Sequence, residues 1–314
     1  MVTLRASAAA VFCGAIVLIG AVSTAGAPPR MQARIATPGQ PIGVVYADGS
    51  AWVTSFDRNA VLRVDRVTNR VVAVVPVGQG PIGVVAGAGA VWVADWSGGA
   101  VTRIDPATNR AVATIHVGPS EGPEGMAFGA GAVWISHKEG AVTRIDPSSN
   151  SIVARIPVDR EARYLAVGAG AVWVTSFDLG TVQRIDPATN RVVKTIRLGF
   201  LAGPQGVAAR GSTVWVVTNA TARLIRIDAR TNRVTARIKL PGFPGPEGAA
   251  TDGRAVWISN NSSGSVSRYD IRRRKVTGTR RTGRQPRGIA LGGGSVWVVN
   301  SGSGTLSRVA ASLR

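Results

Sequence analysis

The chain has 314 residues, 45% of them hydrophobic but only 5% aromatic, with 39 glycines, 17 prolines and a formal net charge of +20. That apolar content excludes a disordered polyelectrolyte despite the charge, and the single Cys13 excludes a disulfide framework or a cysteine zinc site. Abundant glycine without a triplet period excludes collagen and favours a turn-dense fold, and His116 and His137 are too few for a histidine-rich metal centre.

Arg5 is the only charged residue before Arg30, and an apolar run from Ala8 to Val22 is followed by Ser23-Thr24-Ala25-Gly26-Ala27. This order describes a signal peptide within residues 1–27, with cleavage after Ala25, since a cut after Ala27 would place Pro28 beside it. The run is short for a spanning helix, although an uncleaved anchor is the alternative. Either reading places the rest of the chain outside the cytoplasm: secreted, periplasmic or associated with the cell envelope.

Residues 28–314 read as a single repeat domain. Trp52, Trp92, Trp134, Trp173, Trp215, Trp257 and Trp297 are spaced by 39–42 residues, and Asp65, Asp105, Asp146, Asp186, Asp228 and Asp270 keep step. Each unit divides into four short β-rich segments separated by Gly and Pro, as in 81–86, 90–94, 101–105 and 111–117. No window has a 3.6-residue period, so a helical solenoid is excluded. The predicted fold is an all-β, seven-bladed β-propeller of four-stranded blades. Asp-Pro-Ala-Thr-Asn at 105–109 and 186–190 is turn chemistry, the carboxylate accepting from backbone N–H groups and Asn tolerating a left-handed conformation. The last repeat ends before a fourth strand, and Ala33-Arg34-Ile35-Ala36 resembles the fourth strands at 154–157 and 236–239. The amino-terminal strand is therefore expected to complete the last blade and leave no open edge.

The seven tryptophans are expected to wedge between sheets. Function is placed on the ring end that carries the Pro-x-Gly openings of the first strands. The residue inside each opening should face the central funnel: Ile42, Ile82, Glu124, Gln205, Glu247 and Arg287, with Arg163 in blade four, where Ala162-Arg163-Tyr164 replaces Pro-x-Gly. Repetition alone would give seven similar residues, so this departure from symmetry marks Glu124, Arg163, Gln205, Glu247 and Arg287 as ligand-binding candidates. Asp95, Trp96 and His137, read as loop residues, join them. The alternative is that Glu124–Arg163 and Glu247–Arg287 only neutralise each other across adjacent blades. Glu124 and Glu247 could also share a divalent cation.

Arginine recurs at one third-strand position in all blades (Arg63, Arg103, Arg144, Arg184, Arg226, Arg268 and Arg308). It is expected to lie over its strand and pair with the aspartate two residues on. Arg272, Arg273, Arg274, Lys275, Arg280, Arg281 and Arg284 form a dense run without an acid, a polyanion-binding candidate. An anionic envelope polymer or a membrane surface suits it better than nucleic acid, because no aromatics interleave for base stacking. The chain is expected to act as a monomer on an unidentified ligand or protein partner.

Gly-Pro-Glu-Gly at 122–125 and 245–248, with Val-Trp-Ile-Ser at 133–136 and 256–259, resembles the streptogramin (virginiamycin B) lyase family. Over residues 33–310 the repeats are similar to seven-bladed propellers of the YVTN and NHL-like kind. The family implies a metal-dependent (magnesium) C–O lyase opening a cyclic depsipeptide by elimination, with histidines inside Pro-His-Gly openings. Here Gln205, Glu247 and Arg287 fill those openings, and Ser301 stands where the family has a glutamate. No family catalytic residue carries over, and an arginine cannot serve as a base at neutral pH. The leading expectation is an exported, non-catalytic binding propeller without a cofactor. A lyase-like enzyme with a relocated metal site is the alternative.

Overall fold

The computed structural model describes residues 28–118, 122–242 and 244–312, so segment 1–27, expected to be a signal peptide, lies outside the described residues. Seven four-stranded antiparallel sheets follow one another around a ring, spanning 41–76, 81–116, 123–157, 162–197, 204–239, 246–281 and 286–310. The seventh blade takes its outer strand from Met31–Ala36, which pairs antiparallel with Thr305–Ala310, Ile35 lying opposite Leu306. Both chain ends thus share one blade, as the truncated last repeat predicts. No helix among the described residues is long and apolar enough to cross a membrane.

Second strands form the buried layer, and their central tryptophans are at most 3% exposed. Trp52 packs with Val91, Val93 and Ile104 of the next blade, and Trp297 with Val44, Val53 and Leu62 across the closure. Each ring is therefore a wedge between two sheets, removed from water by residues one repeat away.

The recurrent arginine does something the sequence reading missed. Arg63, Arg103, Arg144, Arg184 and Arg308 each stack over the tryptophan of their own blade, guanidinium carbon to ring centre 4.9–5.6 Å. Each also donates through Nη1 to a carbonyl and to the turn asparagine of the next blade: Arg63 to Pro106 O (2.8 Å) and Asn109 Oδ1 (2.9 Å), and Arg308 to Arg66 O and Asn69 Oδ1 over the closure. The expected pairing with the aspartate two residues on occurs at Arg268, which reaches Asp270 at 3.0 Å. The reason is topological: blade seven has no covalent turn between its outer strands, so Arg268 finds no asparagine there and uses its own turn.

The aspartates are turn formers, as expected. Asp65 Oδ1 accepts from the Val67 and Thr68 amides, and Asp105 accepts from Ala107 N and Thr108 Oγ1. These bonds hold the carboxyls below their ordinary range. Asn69, Asn109, Asn150, Asn190 and Asn232 all adopt φ of 54–56°.

Candidate functional site

Every blade begins with a break in strand register, as between Pro123 and Met126, which turns the residue after Pro toward the axis. The glycine that follows is required because the neighbouring blade's backbone lies against it. A Cβ on Gly125 would sit 2.0 Å from Arg163 O, and one on Gly83 would sit 2.3 Å from Glu124 O. A second-strand hydroxyl locks the contact. Ser136 Oγ accepts from Gly125 N (3.0 Å) and donates to Arg163 O (2.5 Å), and Thr54 and Ser259 repeat the pattern toward Ile82 and Arg287. The ring residues are therefore held by their backbone, independently of their side chains.

These openings enclose a central cavity of ≈ 330 Å³ whose lining includes Ile42, Ile82, Glu124, Arg163, Gln205, Glu247 and Arg287, the seven positions read from the repeat. Blades one and two give it an apolar wall, and blades three to seven a polar one. Arg163 approaches Glu124 at 3.8 Å and Arg287 approaches Glu247 at 3.7 Å. Both are ion-pair distances longer than a hydrogen bond, as expected if the two pairs neutralise each other across adjacent blades. Glu124 Oε2, Gln205 Oε1, Arg163 Nε and Arg287 Nε are buried without a hydrogen-bond partner, although Arg287 Nε is the atom that approaches Glu247. Burial raises both glutamates above their usual pKa, against the opposing pull of the arginines.

Two further residues belong to this site and were not singled out as candidates. Tyr164 fills the glycine position of blade four, and its hydroxyl lies 3.5 Å from Glu247 Oε1, two blades away. Burial and the two glutamates push its pKa well above the ordinary tyrosine value, so it remains a donor. Glu161 pairs with Arg163 at 3.1 Å, while the Arg163 guanidinium lies 4.7 Å from the Phe177 ring centre. Glu161 holds φ of 53° where blades two, five and six have Gly80, Gly203 and Gly245. A charged residue at a glycine position was the available sequence signal.

Asp95 and His137 are corrections. Each is the last residue of a second strand, fully buried, and turned into its own blade. Asp95 Oδ2 accepts from Thr102 Oγ1 (2.6 Å), and His137 Nε2 lies 2.8 Å from Thr143 Oγ1. Burial lifts Asp95 to a pKa of about 6. Trp96 also lies off the channel: it is partly exposed, faces Phe56 at 6.4 Å, and has Lys138 Nζ 5.9 Å from its ring. The basic run is divided by the strand it contains. Arg272, Arg273, Arg274 and Lys275 border the turn on one face, Arg281 and Arg284 reach the other, and Arg280 Nε donates to Pro29 O at 2.7 Å.

Among the described residues, no three His, Cys, Asp or Glu side chains gather as metal ligands. The cation implied by the lyase family fits this ring poorly, since Glu124 and Glu247 each face a guanidinium that would repel it.

No protein-family model and no curated protein matches the chain. Solved structures do. A streptogramin B lyase gives a TM-score of 0.79 at 16% identity, over 88% of this chain and 96% of that one. A catalytically inactive virginiamycin B lyase from Staphylococcus aureus with quinupristin gives 0.78 at 16%, over 89% and 99%. Kuenenia stuttgartiensis hydrazine synthase gives 0.81 at 16%, over 94% and 100%. The likeness to streptogramin lyases read from the repeat motifs thus holds as a likeness of fold, that of the seven-bladed propeller.

Proposed function

We propose that this chain is an exported, non-catalytic binding propeller whose central cavity takes a small peptide-like ligand. One observation supports the reading: beside one cavity two buried acceptors, Glu124 Oε2 and Gln205 Oε1, and two buried donors, Arg163 Nε and the ion-paired Arg287 Nε, have no hydrogen-bond partner. An unpaired buried polar group costs about 1–3 kcal/mol, and a ligand with complementary amide, ammonium and carboxylate groups removes that cost. Ile42 and Ile82 offer its apolar part a dry wall. The volume falls within the usual size of small-molecule sites.

The test is a thermal-shift screen of di- and tripeptides, followed by calorimetry on each hit. The variants Glu124→Gln/Glu161→Gln/Arg163→Gln and Glu247→Gln/Arg287→Gln remove every member of each charge group, so neither leaves a charge that has lost its partner. A hit should bind at least tenfold more weakly to both. Undiminished binding to both, or no hit in the screen, overturns the reading. Incubation with virginiamycin B and magnesium should leave the depsipeptide ring intact; chelator-sensitive opening would favour the lyase alternative. For export, amino-terminal sequencing of protein from the culture supernatant or periplasm should begin at Gly26.

A further inference from the structure

We infer that the cleft between blades six and seven, on the face carrying the Pro-x-Gly openings, binds a compact multiply charged phosphate anion. The cleft has a volume of ≈ 650 Å³ and is distinct from the central cavity. Three guanidinium groups border it: Arg281 and Arg284 from blade six, and Arg34 from the amino-terminal strand that completes blade seven. Ser262, Ser303 and Thr305 add hydroxyls, and none of its described lining residues is acidic. Guanidinium forks bind phosphate oxygens through paired N–H donors, and three without a counter-carboxylate set a strongly positive local field.

Ring closure brings these groups together. At the position where Val75, Ile115, Ile156 and Ile196 bury an aliphatic side chain, blade six has Arg280, whose Nε donates to Pro29 O at 2.7 Å. This bond ties the start of the amino-terminal segment to blade six, so Arg34 and Arg281 border one cleft although 247 positions separate them in sequence. The cleft also departs from the repeat in its backbone. Gln285, on its border, holds φ of 51° where Gly80, Gly203 and Gly245 occupy the equivalent place. A side chain in the left-handed region is disfavoured against glycine, and here it adds an amide to the cleft wall.

A concave cleft of this size suits a soluble anion such as pyrophosphate or tripolyphosphate rather than a flat lipid surface. The experiment compares two triple variants that remove equal charge. Arg34→Gln/Arg281→Gln/Arg284→Gln alters the cleft, and Arg272→Gln/Arg273→Gln/Lys275→Gln alters the opposite face. All six side chains are exposed, so both proteins should melt like the parent. Calorimetry with pyrophosphate and with tripolyphosphate should show at least tenfold weaker binding for the cleft variant and less than twofold change for its control. Equal weakening in both variants would mean that overall charge, not the cleft, binds the anion, and absence of binding to the parent also overturns the proposal. Co-sedimentation with phosphatidylglycerol vesicles separates the sources: cleft-dependent sedimentation without pyrophosphate binding would assign the arginines to a membrane instead.

Discussion

Asp95, Asn260 and Asn300 occupy one position at the end of the second strand, and each bonds a hydroxyl of the third strand: Thr102, Ser267 and Ser307. The amide does this without charge. Asp95 does it with a carboxyl whose folded pKa of about 6 exceeds its ordinary value of 3.8. A raised carboxyl pKa contributes stability that is complete below the unfolded value and is lost as pH rises through the folded one. Asp95→Asn should therefore match the parent below pH 4 and exceed it above pH 6, by about 1–3 kcal/mol for a shift of this size. Urea titrations at pH 4 and pH 8 would measure it, and a gain equal at both values would refute the assignment. The turn aspartates act in the opposite direction, since their lowered pKa values withdraw stability as pH falls below the ordinary carboxylate range.

Arg274 presents a second residue-scale contrast. It stands in the left-handed turn position that the other covalent turns fill with asparagine, at φ of 53°. The next blade thus offers Arg226 an arginine at the turn position where Arg184 finds Asn232 Oδ1 at 3.0 Å. Arg274→Asn should relieve the backbone and supply the acceptor, raising stability by about 1 kcal/mol, readable as a rise in Tm. The arginine pairing was misread because sequence shows only the near aspartate. The actual acceptors lie on the next blade, 43–48 positions away for Arg63, Arg103, Arg144 and Arg184, and 239 and 242 for Arg308 across the closure.

At the scale of the element, the Pro-x-Gly opening was legible as a turn signal, and its seven central residues as a ring, because repetition makes departures visible. Its inter-blade contact was not legible. Glycine there accommodates a neighbour's carbonyl, and Ser136 joins the two blades by bonds to Gly125 N and Arg163 O. Asp95 and His137 were misplaced because second strands run one residue further than the loop chemistry suggested, which turns both side chains inward. Gly125→Ala places its Cβ 2.0 Å from Arg163 O, and should cost about 1–3 kcal/mol as blade four is displaced. Gly98→Ala, whose nearest new neighbour would be at 3.4 Å, is the matched control and should change Tm little. If the two variants melted alike, backbone crowding would not be the reason for glycine at the opening.

For the whole molecule, length, repeat period and the short last repeat already implied a closed ring. What sequence could not convey is how much is gathered at the seam. Met31–Ala36 supplies the outer strand, Arg308 reaches Arg66 O and Asn69 Oδ1, Arg280 holds Pro29, and Ser295 Oγ donates to Gln32 Oε1 at 2.7 Å. Every other blade is closed by a covalent turn, so the seam is where the ring depends on non-covalent pairing alone. Removing residues 28–36 from a chain that starts at residue 28 would uncover the strand Thr305–Ala310 and the buried Leu306. An unpaired strand edge of that kind recruits another chain. The truncated protein should unfold at lower denaturant concentration and form dimers or larger species on size exclusion. A circular permutant carrying 28–36 after residue 312 through a short glycine-serine linker should restore a monomer of parental stability, since it rebuilds the same strand pairing as a covalent hairpin. If the truncation were monomeric and as stable as the parent, ring closure would not depend on the amino-terminal strand. If the permutant failed where the truncation failed, the defect would lie in residues 28–36 being moved rather than in the loss of the pairing.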